Sequence, residues 1–100
     1  MRMRRKPILI PRMERCARVL LSAPAGAAER RGHWRELLPQ ARELRVELGC
    51  GKGRFTAETA AQEPDVLFLA IERVPDALVV AMERVMGLGL ENVYFLCEDA

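Results

Sequence analysis

The sequence predicts an α/β domain in which three parallel strands are joined by crossover helices and preceded by a basic helical extension. Three observations carry that expectation. The spacing of apolar residues shifts from the helical period of about 3.6 to the strand period of about 2 near residue 44. From there, strand-length and helix-length segments alternate, and a cluster of glycines stands at the first strand-to-helix junction. Strands alternating with helices form successive βαβ units, which means parallel strands and right-handed crossovers.

Each element has its own signal. Residues 1–11 are basic and bracketed by Pro7 and Pro11, which reads as an extended arm around Ile8, Leu9 and Ile10. Residues 12–22, "RMERCARVLLS", place Met13, Ala17, Leu20 and Leu21 at helical spacing with arginines opposite, predicting a short amphipathic helix. "APAGAAERRG" reads as a loop, and "HWRELLP" as a helical turn in which Trp34, Leu37 and Leu38 share a face. Residues 44–48, "LRVEL", alternate apolar and charged and predict the first strand; residues 52–63 predict a helix. "VLFLAI", 66–71, is a continuous apolar run of strand length, and "NVYFLC", 92–97, predicts the third strand. Between them, 75–88 opens with Pro75 at a first-turn position and carries Leu78, Met82, Val85 and Met86 on one helical stripe. The expected division is therefore a basic extension over 1–43 and a partial ligand-binding domain over 44–100.

Composition bounds the function. One hundred residues, half of them hydrophobic and 30% charged, suit one folded globular domain. The net charge of +2 hides an asymmetry: residues 1–45 carry twelve Lys/Arg against four Glu (+8), and residues 46–100 carry four against ten Asp/Glu (−6). A basic front end suggests an anionic partner, with a phosphate backbone the first candidate and a solubilising tail the plain alternative. Cys16, Cys50 and Cys97 lie far apart, and His33 is the only histidine, so neither a disulfide framework nor a zinc site is supported. "MRMRRK" and "VLLSAPAGA" mimic parts of a signal peptide, but Pro11, Glu14 and Arg18 interrupt any apolar stretch between them. No run approaches the roughly 20 apolar residues of a membrane span. A reducing, cytoplasmic setting without metal or membrane is expected.

The chemistry concentrates in "RVELGCGKGRF", 45–55. Glycines at a strand-to-helix turn provide positive φ angles or let a ligand approach the backbone, and the helix N-terminus adds free N–H groups. A P-loop would need a glycine where Val46 stands and a hydroxyl where Gly53 stands. A dinucleotide fingerprint matches Gly49 and Gly51 but meets Arg54 at its third glycine. What remains is acid-x-G-x-G-x-G, with Glu47 two residues ahead of Gly49. A carboxylate there repels pyrophosphate and suits a ligand bearing an ammonium and a sulfonium, as S-adenosylmethionine does; the plain alternative is a solvent-facing strand residue. Glu72 ends the second predicted strand, where dinucleotide folds place an acid for ribose hydroxyls, and Asp99 follows the third. Three carboxylates at the carboxyl ends of consecutive parallel strands converge on the edge where open α/β sheets bind ligands.

These residues resemble a known family, the bacterial tRNA (guanine-N7-)-methyltransferases of the class I, S-adenosylmethionine-dependent type. The resemblance runs through "RMRRKP", "LIPRMERC", "WRELLP", "ARELRVELGCGKGRFTAETA", "AIERVPDALVVAMERV" and "NVYFLCEDA", nearly the whole chain. It implies the N-terminal half of a Rossmann-like class I methyltransferase fold. It makes Glu47 and the turn bearing Gly49, Gly51 and Gly53 the wall around the methionine and sulfonium part of the cofactor, with Glu72 at the ribose and Asp99 on the adenine side. It implies transfer of a methyl group to N7 of a guanine in the tRNA variable loop. Arg2, Arg4, Arg5 and Lys6 are the expected tRNA contacts, and Cys50 is expected to be a small filler rather than a nucleophile. Such enzymes are about twice this long, and their fourth strand and later tRNA-gripping segments have no counterpart here. The resemblance therefore assigns no catalytic residue and implies a truncated chain, inactive alone. A class I methyltransferase with another acceptor, or a non-enzymatic RNA-binding fragment using the basic arm, are the alternatives.

Overall fold

The protein is described by a computed structural model over residues 6–21 and 34–97, with side chains from 11 to 21 and from 36 to 97. Among the described residues four parallel strands form one sheet: β1 (Leu20–Leu21), β2 (Glu43–Leu48), β3 (Val66–Ile71) and β4 (Val93–Leu96), in the spatial order β1-β4-β3-β2. Three helices accompany them, α1 (Lys6–Arg15), α2 (Arg54–Gln62) and α3 (Pro75–Gly87), with a 3-10 turn at Trp34–Leu37.

The predicted strand at 66–71 forms over those residues, and the other segments after residue 40 form within two residues of their expected ends. Two expectations for the front of the chain are corrected. Residues 6–11 are helical rather than extended, because Pro7 falls in the first turn, where a missing N–H forfeits nothing, and Pro11 sacrifices one hydrogen bond inside α1. Nor does a helix run from 12 to 22: α1 ends at Arg15, and Leu20 and Leu21 lie in register with Phe95 and Leu96. The Phe95 N–H donates to the Val19 carbonyl at 2.8 Å, and Val19 is buried completely. Pairing with β4 satisfies backbone groups that a further helical turn would have satisfied internally, and it buries Val19 and Leu21 as well. The sheet thus has a fourth strand that the three-strand reading lacked.

The helical layer covers one face of the sheet. Val66, Phe68, Ala70, Val93 and Phe95 point into a core with Ala57 and Ala60 of α2 and Leu78, Val79, Ala81, Met82 and Val85 of α3. Met13 of α1 packs on the same core, and Arg12 forms a two-pronged ion pair with Glu83 of α3, at 2.6 and 2.9 Å. The opposite face gathers Leu21, Leu69 and Leu96, with Leu37, Leu44, Ile71 and Tyr94 against them. Asn92, buried just before β4, donates its side-chain amide to the carbonyls of Ala60, Glu63 and Val66 at 3.0–3.1 Å. That side chain ties the end of α2 to the start of β3.

All four strands run the same way, so their carboxyl ends lie together. β2 is an outer strand of the sheet, and Val46 and Leu48 on it are 55% and 62% exposed.

Candidate functional site

The glycine turn leaves β2 at its carboxyl end and enters α2. Gly49, Gly51 and Gly53 adopt φ of +71°, +59° and +77°, the left-handed region that favours glycine. Their roles differ. A Cβ at Gly49 or Gly51 would meet nothing within 4 Å, so both face open space where a ligand can reach the backbone. A Cβ at Gly53 would stand 2.6 Å from Cβ and 2.8 Å from Cα of Ala81. Gly53 is thus the point where the start of α2 presses on α3, the close-packing duty for which the sequence offered no third dinucleotide glycine.

Glu72 is 9% exposed and sits just past the carboxyl end of β3. Its Oε1 accepts the Gly51 N–H at 2.8 Å and its Oε2 accepts the Val74 N–H at 3.2 Å. One carboxylate therefore clamps the glycine turn to the loop that starts α3, and each oxygen keeps a lone pair for another donor. The turn is also pinned to β3 itself, where the Gly49 N–H donates to the Ile71 carbonyl at 2.7 Å.

Glu47, near the end of β2, is half-buried and accepts a hydrogen bond from the Thr56 hydroxyl. Thr56 lies in the first turn of α2 and is 1% exposed. Sequence reading passed over it. Its signal was present: one polar residue in a strip otherwise made of Ala57 and Ala60, nine positions after the acid. Arg84 was also passed over; from α3 its Nε donates to the Lys52 carbonyl at 3.2 Å. Cys50 is buried in the turn, and that burial, aided by Glu47 and Glu72, pushes its thiol up to about 12. Such a thiol is not a nucleophile near neutral pH.

The structure therefore brings together Glu47, Gly49, Gly51, Gly53 and Glu72 at the carboxyl edge of the sheet. Asp99, Arg2, Arg4 and Arg5 lie outside the described residues, as does the side chain of Lys6. Among the described residues no cluster of metal-ligating side chains occurs, the cysteines are free, and no helix is long and apolar enough to cross a membrane.

Chemically, the arrangement offers two carboxylates and open backbone around one turn. A pyrophosphate would meet both negative charges, whereas a cationic or hydroxyl-bearing ligand would find acceptors.

Comparison with known proteins agrees with this geometry. Residues 41–100 match a family model described as "Putative methyltransferase". The tRNA (guanine-N(7)-)-methyltransferase of Geobacillus kaustophilus is 38% identical over 100 residues, all of this chain and 45% of the relative. That of Acetivibrio thermocellus is 35% identical over 96 residues, 96% of this chain and 40% of the relative. The chain spans under half the length of these curated relatives. Among solved structures, an antibiotic-related methyltransferase superposes with a TM-score of 0.58 at 21% identity, over 68% of this chain and 36% of that one. Haemonchus contortus phosphoethanolamine N-methyltransferase 2, solved with S-adenosyl-L-methionine, gives 0.51 at 18% identity, over 71% of this chain and 17% of that one. At such identities the likeness is one of fold.

Proposed function

Since the chain belongs to the methyltransferase family whose model spans residues 41–100, we propose that it carries the S-adenosylmethionine site of a tRNA (guanine-N7-)-methyltransferase. The observation that carries this reading is the Glu72 clamp. A buried carboxylate fixes the glycine turn through the Gly51 N–H, while Glu47, on the neighbouring strand, accepts from Thr56 just past that turn. In the proposed complex Glu47 holds the ammonium end of the cofactor, Gly49 and Gly51 leave room beside its methionine part, and Glu72 accepts from the ribose hydroxyls. Asp99 is proposed for the adenine side. When bound, S-adenosylmethionine would supply a methyl group from its cationic sulfur, the N7 lone pair of guanine forming the new bond in line as the carbon–sulfur bond breaks and the sulfur leaves as a neutral thioether. Guanine N7 carries no proton at neutral pH, so no side chain need remove one, and orientation supplies most of the rate.

The similarity to tRNA-modifying relatives and the +8 charge of residues 1–45 support tRNA as the acceptor. We assign its contacts to Arg2, Arg4, Arg5 and Lys6, in an N-terminal extension over 1–43, and the cofactor to 44–100. A tRNA acceptor supports a cytoplasmic setting for the protein. The chain alone is proposed to bind cofactor without completing transfer, since it spans under half of the relatives' length.

Calorimetric titration with S-adenosylmethionine tests the reading. The unaltered chain should bind, and Glu72→Gln, which keeps the shape but loses the charge, should weaken binding at least roughly tenfold. Absence of binding by the unaltered chain overturns the cofactor assignment; methyl transfer to tRNA by the chain overturns the inactivity.

A further inference from the structure

Resting on that cofactor reading, we infer that Thr56 is a positioning residue, whose hydroxyl holds the Glu47 carboxylate at the mouth of the glycine turn. A hydroxyl has one proton to give, and here it goes to Glu47 Oε1. That leaves the other carboxylate oxygen and its lone pairs for a cationic donor.

Three features make the arrangement a fixed one. Thr56 is 1% exposed, so water does not compete for its hydroxyl. Its side chain branches at Cβ, which restricts χ1 and sets the hydroxyl direction before any ligand arrives. Its backbone belongs to the start of α2, where the Ala57 N–H donates to the Gly53 carbonyl at 2.8 Å and Gly53 is lodged against Ala81. A buried threonine hydroxyl in a helix can turn back to a carbonyl three or four residues earlier. Thr56 reaches across to β2 instead. The consequence is an acid whose aim is set by the chain and not by the ligand, and a carboxylate already in place saves the ordering that binding otherwise demands.

Thr56 touches no ligand in this account, so its removal should weaken only what Glu47 reads. The test compares S-adenosylmethionine with adenosine, which lacks the amino-acid part. Thr56→Val, nearly the same shape without a hydroxyl, should bind S-adenosylmethionine roughly tenfold more weakly and adenosine unchanged. Thr56→Ser should stay within about twofold of the unaltered chain for both. In a Glu47→Gln background the Thr56→Val effect should disappear. If valine disturbs folding, Thr56→Ala carries the same expectation. Equal affinity of the valine variant for S-adenosylmethionine overturns the inference, as do matching losses for both ligands or additive losses in the double variant. Failure of the unaltered chain to bind S-adenosylmethionine overturns the cofactor reading itself, and this inference with it.

Discussion

Gly51 and Gly53 stand two residues apart with nearly equal φ, yet a methyl group added to each has a different fate. At Gly53 the new Cβ meets Ala81 at 2.6 Å in addition to the left-handed backbone, so Gly53→Ala should destabilise the fold by about 2–4 kcal/mol. At Gly51 the space is open, so Gly51→Ala should cost only about 1–2 kcal/mol from backbone strain. Urea denaturation of the two variants checks the ordering, and equal losses would contradict the packing role of Gly53. The residue pattern showed which positions need positive φ, because only glycine avoids a steric penalty there. It did not show which of them packs and which stays open, since that depends on where α3 lies. Glu47 and Glu72 were legible as acids at strand ends. Thr56 was not singled out, because a lone threonine in a helix usually has no partner worth predicting, and its partner here arrives from another element.

Among the elements, β2 and the β3-proximal end of α2 are joined by a network of charges. Arg42 bonds Asp65 at 2.6 Å and Glu63 at 2.9 Å, and Arg45 bonds Glu43 at 2.7 Å and Glu63 at 2.8 Å. The Arg45 guanidinium holds the Glu43 and Glu63 carboxyls below their usual range, and Arg42 does the same for Asp65. A lowered carboxyl favours the folded state above its ordinary titration, and that contribution fades as pH falls through the lowered value. Stability should therefore decline as pH drops below roughly 4.3. These groups are open to solvent, so the decline should be small and salt-dependent. Thermal melts from pH 6 to 3 in low and high salt check this; a decline indifferent to salt would point away from the network. The long elements were the legible ones: "VLFLAI" is too apolar for a surface segment, and the α3 stripe repeats over three turns. α1 and β1 are not legible from their own residues, because their form is set elsewhere in the fold. Two leucines have no strand pattern of their own and become β1 only because β4 offers an edge.

At the scale of the whole molecule, parallel topology followed from the alternation of elements, whereas the outermost position of β1 did not. The sheet leaves β2 as an outer strand, with exposed Val46 and Leu48 on it and Phe55 at the start of α2, 71% exposed. An outer strand with apolar side chains and unpaired backbone groups recruits other chains. The isolated chain should therefore associate as its concentration rises, and Val46→Lys should suppress this while leaving the fold intact. Light scattering over a concentration series measures it; unchanged association in the lysine variant would place the contact elsewhere.

The pairing of Leu20 with Phe95 spans three quarters of the chain. During synthesis, β1 leaves the ribosome some 75 residues ahead of its partner, the separation of Leu20 from Phe95. β2 and β3 can pair while translation continues, but the far margin of the sheet waits for Leu96. Of these four strands the one made first is the one paired last, so a pause between β3 and β4 leaves two leucines with no neighbour to cover them.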